Sequence, residues 1–451
     1  MNARQLAAME GRLEKWLALV FGGLGRRERV EALGNYLRGL LLDGERKSID
    51  PIAQRLVKSA GEAEAMRQRL QQAVTVAAWD ERIVFQRLAL EAERHLPGID
   101  AWAIDDTGFP KKGFKSVGVQ RQYSGTMGRI DNCQIATSLH LASEHGGVCV
   151  GSKLYLPKDW AEDEKRRTRA GIPTEVEFKE KWRIALGLVD ELLATGVKRR
   201  VVVADAGYGD CIDFRDGLAE RGLHFLVGVT GTAVGWPPGV SPRPPPPKTK
   251  GGRPPTRWRE PLKGKARALS DIAANLPTSA WKKVTWREGT RGPQSSRFAA
   301  VRLRTAHGHA LGHPPSEELW LLCEWPRRQE LPSKLYLSNL PRGTSLKKLV
   351  YLAKLRWRIE RDYQEMKGEF GLDHFEGRRW SGFHHHVACV AAAHAFLALE
   401  RARFPPQHPT EPLRLQETPS AGTPAGDRGL SALLSGSSAP VGPNTLADLI
   451  K

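Results

Sequence analysis

Val201-Val202-Val203-Ala204 runs directly into Asp205-Ala206-Gly207-Tyr208-Gly209-Asp210. A continuous apolar, β-branched run with no alternation predicts a strand buried on both faces. The turn-forming residues behind it end the strand. A helical pattern over 212–221 and a further apolar strand at Phe225–Val229 follow. This alternation is the grammar of an α/β sheet. Upstream, a helical pattern covers 175–194. Before that come strand-like stretches at 148–156, 132–142 and 116–123, separated by Gly146-Gly147 and Ser124-Gly125. The block opens with Ala101-Trp102-Ala103-Ile104, a short apolar run that gives way to Asp105-Asp106-Thr107-Gly108.

That order, strands first and then helix, strand, helix, strand, is the order of a ribonuclease-H-like core. Residues 1–97 read as helical, with Asp50-Pro51 and Asp80 as helix starts. Arg26, Arg27, Arg29, Arg38, Arg46, Lys47 and Arg55 are spread along these helices as a possible grip on DNA. Residues 231–340 break the α/β rhythm. A Pro-rich basic loop (237–259) precedes strand-like pieces at 282–286, 298–303, 319–324 and 335–340. Helical patterns return through 356–370 and 387–401, and the rest is rich in Pro, Gly, Ser and Thr.

The expected fold class is therefore α/β, a ribonuclease-H-like catalytic core interrupted by a β-rich insertion and preceded by an all-helical N-terminal domain. The expected divisions are 1–97 (helical, DNA-binding), 98–230 (core, first part), 231–340 (insertion), 341–402 (core, second part) and 403–451 (disordered tail).

The 451 residues carry 69 Lys and Arg against 50 Asp and Glu, a net charge of +19, with a pI near 9.9. Such an excess points to a polyanionic partner, above all nucleic acid. Mean hydropathy is −0.42, and the longest apolar run, residues 387–399, is shorter than the ~20 residues a membrane span needs. It predicts a core helix, and no membrane partner is expected. No secretory leader is evident. Cys133, Cys149, Cys211, Cys323 and Cys389 form no C-x-x-C pair, which fits a reducing cytoplasm.

Three carboxylates stand out by placement. Asp106 follows the first strand, Asp205 follows the Val201–Ala204 strand, and Glu360 lies on the helix after the insertion. Reactive groups collect at the carboxyl ends of strands in open α/β sheets. Neighbouring carboxylates favour hard cations, Mg²⁺ or Mn²⁺, and two such ions can drive phosphodiester chemistry. Each acid also has a plain structural reading. Asp106 could close an Asx-turn with Gly108, Asp205 one with Gly207, and Glu360 could pair with Arg356. Lys111, Lys112 and Lys115 beside the first acid could grip a DNA strand or be solvated. Trp281 and Trp286 read better as packing, and Trp258 as a possible base-stacking residue. His384-His385-His386 point in different directions on a helix and make a poor metal site, and His307, His309 and His313 do no better.

Taken together, Ile104-Asp105-Asp106-Thr107-Gly108-Phe109-Pro110-Lys111-Lys112-Gly113, Gln122-Tyr123-Ser124-Gly125 and Asp131-Asn132-Cys133-Gln134 resemble the first catalytic block of a DDE transposase from a bacterial insertion sequence. Val203-Ala204-Asp205-Ala206-Gly207-Tyr208-Gly209 resembles the second, and Arg356-Trp357-Arg358-Ile359-Glu360 with Lys367 the third. The resemblance spans roughly residues 20–400 and implies that Asp106, Asp205 and Glu360 bind Mg²⁺ (or Mn²⁺) and are catalytic. It implies that Arg356 and Lys367 contact DNA. Where the family's fuller pattern has Tyr, this chain has Ala353, so Trp357 is the candidate aromatic contact. Double-stranded DNA, both element ends and target, is the implied partner, with a homodimer at the synapse and a cytoplasmic, nucleoid-associated location. The alternatives are a metal-dependent nuclease without strand transfer and a non-catalytic DNA-binding regulator.

Overall fold

The structure is a computed structural model that describes residues 3–247, 253, 255–259, 261–262, 264–289, 292–306 and 315–404. The histidines at 307, 309 and 313, part of the Pro-rich loop, and the tail beyond 404 lie outside the described residues. In chain order the helices and strands are α1 (Ala3–Phe21), α2 (Arg27–Leu41), α3 (Ile49–Leu56), α4 (Ala60–Gln71), α5 (Glu81–His95), β1 (Ala101–Pro110), β2 (Gln120–Ser124), β3 (Arg129–Ala142) and β4 (Gly147–Leu154). There follow α6 (Lys158–Ala161), α7 (Glu164–Ala170), α8 (Lys181–Leu193), β5 (Val201–Ala204), α9 (Ala206–Gly209), α10 (Ile212–Glu220), β6 (Phe225–Val229), β7 (Val234–Gly235) and β8 (Arg267–Ala268). The series closes with α11 (Leu269–Ala274), β9 (Lys282–Gly289), β10 (Gly292–Leu303), β11 (Leu319–Trp325), β12 (Lys334–Ser338), α12 (Leu346–Leu355), α13 (Trp357–Gly368) and α14 (Trp380–Arg403). The architecture is mixed α/β, with both parallel and antiparallel strand pairs.

The chain divides into two compact units. The first takes Met1–Ile99, Ile104–Lys198 and Trp357–Lys451, and the second takes Asp100–Ala103 and Arg199–Arg356.

In the first unit, β3 is long enough to serve two partners on one edge. Its opening residues pair antiparallel with β2 and its later ones with β4, while β1 neighbours it on the other edge. α14 is buried along nearly its whole length. It is long and apolar enough to cross a membrane by composition, but here it is the core helix, packed against α2, α5 and β4. Polar bonds pin it at intervals: Trp16 Nε1 donates to Ala392 O at 3.1 Å, and Arg12 bonds the Glu400 carboxylate at 2.6–3.0 Å.

The three consecutive histidines of α14 face separate partners. His384 takes the Leu154 amide at 3.2 Å and bonds Trp380 O. His385 stacks on Trp79 at 3.8 Å. His386 bonds Tyr36 OH at 2.8 Å. Burial, the largest influence, pushes His384 and His386 down to about 4. An unfolded histidine titrates near 6.5, so the unfolded chain binds more protons below that pH. The stability these rings contribute is complete above about 6.5 and is lost as the pH falls toward 4. Thermal melts from pH 7 to 4.5 should show a falling midpoint, and His386→Gln should flatten part of that slope.

In the second unit β5 and β6 run parallel, and β12, β11, β10 and β9 continue from β6 as an antiparallel series. The strands of the Pro-rich region's far side thus extend the sheet begun by β5. Val229, Leu269, Ile272, Leu303, Leu321 and Leu337 form its core. Trp281 meets Trp325 edge-on at 5.2 Å and Trp286 meets Phe298 at 5.8 Å, the packing roles read from the sequence. Trp258 is half-buried. The described part of the Pro-rich stretch is irregular, with one isolated bridge between Arg243 and Arg259.

Several boundaries differ from the sequence reading. α3 begins at Ile49 rather than at an Asp50 cap, whereas Asp80 does cap α5, accepting from Arg82 N at 2.9 Å. The helix expected over 175–194 begins only at Lys181. β1 does not stop at Ile104. It continues through Asp105 and Asp106 to Pro110, because Thr107 and Phe109 are buried and keep the strand packed. Arg356, expected within the helical pattern over 356–370, is instead the C-cap of α12, and α13 begins at Trp357.

Candidate active site

Asp106 lies in β1, where the strand alternation gives it and Asp105 different surroundings. The Asp106 carboxylate accepts from Thr137 Oγ1 of β3 at 3.0 Å on one oxygen. On the other it accepts from Lys181 Nζ, the first residue of α8, at 2.6 Å. Asp105 instead turns inward to the backbone: its Oδ1 accepts the Asp106 amide at 2.8 Å and its carbonyl accepts Tyr363 OH at 3.1 Å. An Asx-turn with Gly108 does not form, since the Gly108 amide donates to Thr126 Oγ1.

Asp205 precedes α9 in the N-cap position, with extended backbone and no side-chain cap bond. Its carbonyl takes the Gly209 amide at 2.9 Å. A Cβ at Gly209 would stand 1.8 Å from the Gly228 carbonyl oxygen. Only glycine lets the turn lie this close to β6, which explains that residue of the Asp205-Ala206-Gly207-Tyr208-Gly209 string.

Glu360 is exposed in the first turn of α13. The buried face of that helix is Ile359, Asp362, Tyr363 and Met366, the i, i+3, i+4, i+7 stripe. Two of the four are polar, and both bond residues of β3. Asp362 Oδ2 pairs with His140 Nδ1 of β3 at 2.8 Å, with both side chains inaccessible. Tyr363 OH bonds Ser138 Oγ at 2.6 Å, and Ser138 Oγ bonds His140 Nε2 at 3.0 Å. Burial alone would push the His140 ring down; Cys149 and Asp362 overcome it and hold the ring up to about 10. The charge survives there because its partner is at hand. Gly147 of β4 makes room: a Cβ on it would fall 2.0 Å from Asp362 Oδ2.

This network joins α13 to β3 and, through Tyr363 and the Asp105 carbonyl, to β1 beside Asp106. The elements bearing Glu360 and Asp106 thus meet within the first unit. Asp205 and Arg356 fall in the second unit. Within either unit, among the described residues, no group of three or more His, Cys, Asp or Glu could hold a metal ion.

The basic candidates divide. Lys367 Nζ donates to the Gly108 carbonyl at 2.8 Å and lies 5.5 Å over the Phe109 ring. Lys111 Nζ donates to the Phe375 carbonyl at 2.7 Å. Burial lowers both ammonium pKa values. Lys112 and Lys115 are exposed, and Trp357 is half-buried with Arg358 over its ring at 5.5 Å.

Sequence reading missed Thr137, Lys181, His140, Asp362 and Tyr363. The last two carried a signal, being polar residues on the apolar stripe of a helix. His140 carried one too, as an ionisable residue in the continuous run Ile135–Ala142. Lys181 carried a weaker one, a lysine opening a helix against the dipole.

A family model described as DDE superfamily endonuclease matches residues 19–293, a stretch that holds Asp106 and Asp205 and ends before Glu360. A curated relative, "Probable transposase for insertion sequence element IS701" of Microchaete diplosiphon, is 30% identical over 172 residues, 36% of this chain and 40% of the relative. The chain thus matches that relative over about two fifths of its length.

Proposed function

The chain belongs to the DDE endonuclease superfamily, and on that premise we propose that it is the transposase of a bacterial insertion element. It binds the element's terminal inverted repeats, cleaves at the ends and joins the freed 3′-hydroxyls to target DNA. Membership alone makes it a nuclease-type enzyme acting on DNA. Inverted-repeat binding, strand transfer, a dimer at the synapse and a cytoplasmic location belong to the proposal. So do the helical DNA-binding region over residues 1–97, the ribonuclease-H-like core and the β-rich insertion.

The proposed metal ligands are Asp106, Asp205 and Glu360. The observation that most supports them is the state of Asp106. Its carboxylate is not consumed by a turn; it is oriented by Thr137 and already carries a cation, the Lys181 ammonium at 2.6 Å. A carboxylate donor set of this kind suits Mg²⁺, with Mn²⁺ as a substitute. Bound there, two divalent ions supply activation of the attacking oxygen and stabilisation of the leaving one. The chain's own groups do the rest. Thr137 fixes the Asp106 rotamer, and the Tyr363 and Asp362 bonds seat the helix that presents Glu360. Lys112, Arg356, Trp357, Lys111 and Lys367 are the proposed DNA contacts, the last two after leaving their carbonyls.

The test is an assay on DNA carrying matched element ends in Mg²⁺. The expected products are cut ends and 3′-joined strands. Cut ends with no joined product would instead favour a nuclease, and binding without cutting a regulator. Binding should weaken linearly in log–log form as salt rises, because phosphate contacts release counterions.

A further inference from the structure

We propose that Lys181 is an internal counter-cation that holds the Asp106 carboxylate in place until a divalent ion displaces it, and then engages a DNA phosphate. The inference rests on the reading of Asp106 as a metal ligand and adds a residue to it. Lys181 Nζ lies 2.6 Å from Asp106 Oδ2, on the oxygen opposite the one that accepts from Thr137. The same ammonium lies 5.8 Å over the Tyr155 ring, so its position is defined from two sides.

The placement is otherwise unfavourable. Lys181 opens α8, whose first turn contains no acidic residue and whose N-cap, Glu180, makes no side-chain cap bond. A cation there meets the positive end of the helix dipole. The Asp106 carboxylate offsets that cost. Both side chains keep partial solvent access, 33% for Lys181 and 25% for Asp106. An ion can therefore enter and the lysine can leave without unfolding anything. A lysine suits this task, since its compact ammonium sits at the end of a flexible stem. Once released, it is a mobile positive charge beside the carboxylate where the proposal places the reacting phosphodiester.

Two effects of opposite sign follow for Lys181→Met. Without the competing ammonium, Mn²⁺ binding to the DNA-free full-length protein should tighten by up to about fivefold, the limit open to a partly exposed ion pair. Isothermal titration or Mn²⁺ paramagnetic resonance reads this without any turnover. DNA should bind more weakly, with the salt slope reduced by about 1, and KM for the DNA should rise. Lys181→Arg keeps the positive charge, so it should keep the parental salt slope and hold back Mn²⁺ at least as strongly as the parent. A residue that merely braces α8 would not tighten one ligand while loosening the other.

Asp106→Asn is the companion measurement. Loss of Mn²⁺ binding in Asp106→Asn together with unchanged Mn²⁺ binding in Lys181→Met overturns the role of Lys181 and leaves Asp106 as a ligand. Unchanged Mn²⁺ binding in Asp106→Asn overturns the metal assignment itself. Tighter Mn²⁺ binding with an unaltered salt slope overturns the phosphate step.

Discussion

Asp362→Asn is expected to destabilise the protein by roughly 3–5 kcal/mol, the cost of removing one partner from a buried ion pair. The imidazole of His140 is fully buried and Asp362 is 1% exposed. With the carboxylate gone, His140 loses a cause that holds it up to about 10 and must either stay charged without its anion or give up its proton. Either outcome costs free energy that the parent does not spend. Because the folded pKa of His140 lies above its unfolded value near 6.5, the pair's contribution is complete below about 6.5. It is lost as the pH rises through about 10. The variant's deficit should therefore be large at pH 6 and shrink in alkali. Urea unfolding checks this through a lower midpoint at unchanged slope. The double variant His140→Leu with Asp362→Leu should recover part of the loss, since replacing both partners of a buried pair by apolar groups is often neutral, while Arg358, 3.6 Å from Asp362 Oδ1, still loses its anion. A loss within 0.5 kcal/mol for Asp362→Asn would mean that the pair does not hold α13 in place.

The same residues mark where the sequence is legible and where it is not. The unalternating Val201–Ala204 run becomes a strand because a parallel pair buries both faces of it. The apolar run at 387–399 becomes the core helix for the same reason, as its sides have no polar stripe to give to water. These are local patterns with one physical outcome. Asp106 was misplaced by a few residues because the acid pair looks like a strand end. Burial of Thr107 and Phe109 carries the strand on past it, and the partners of the acid pair, Thr137 and Tyr363, come from far along the chain. The ties from α13 to β3 and from α8 to β1 join residues far apart in the chain. No local period predicts which polar side chain will find which partner. What the sequence offers is the anomaly, a polar residue on an apolar stripe. Such anomalies mark functional or strained sites more often than chance would.

Asp205→Asn and Glu360→Gln should each reduce DNA strand cleavage at least a thousandfold while leaving DNA binding nearly intact. Each change keeps the side chain's size and removes its charge. An amide is a poor ligand for a hard dication, so the metal's stabilisation of the transition-state charge, worth several kcal/mol, is lost. At about 1.4 kcal/mol per tenfold, a loss of roughly 4 kcal/mol gives that factor. DNA affinity rests on Lys and Arg neutralising phosphates and does not need the carboxylates. Folding should also survive. Each change is isosteric, and Glu360 is exposed on α13. Melting within a degree or two of the parent is therefore the required control. Asp105→Asn is the internal contrast: an asparagine can also accept the two bonds that the Asp105 carbonyl takes from Tyr363 OH and its Oδ1 takes from the Asp106 amide. It should retain most of the cleavage rate. If Asp105→Asn were dead and Asp106→Asn active, the roles of the two adjacent acids would be exchanged. If Glu360→Gln cleaved at the parental rate in Mg²⁺, the third ligand would have to be sought elsewhere, and the family pattern on α13 would not describe this chain.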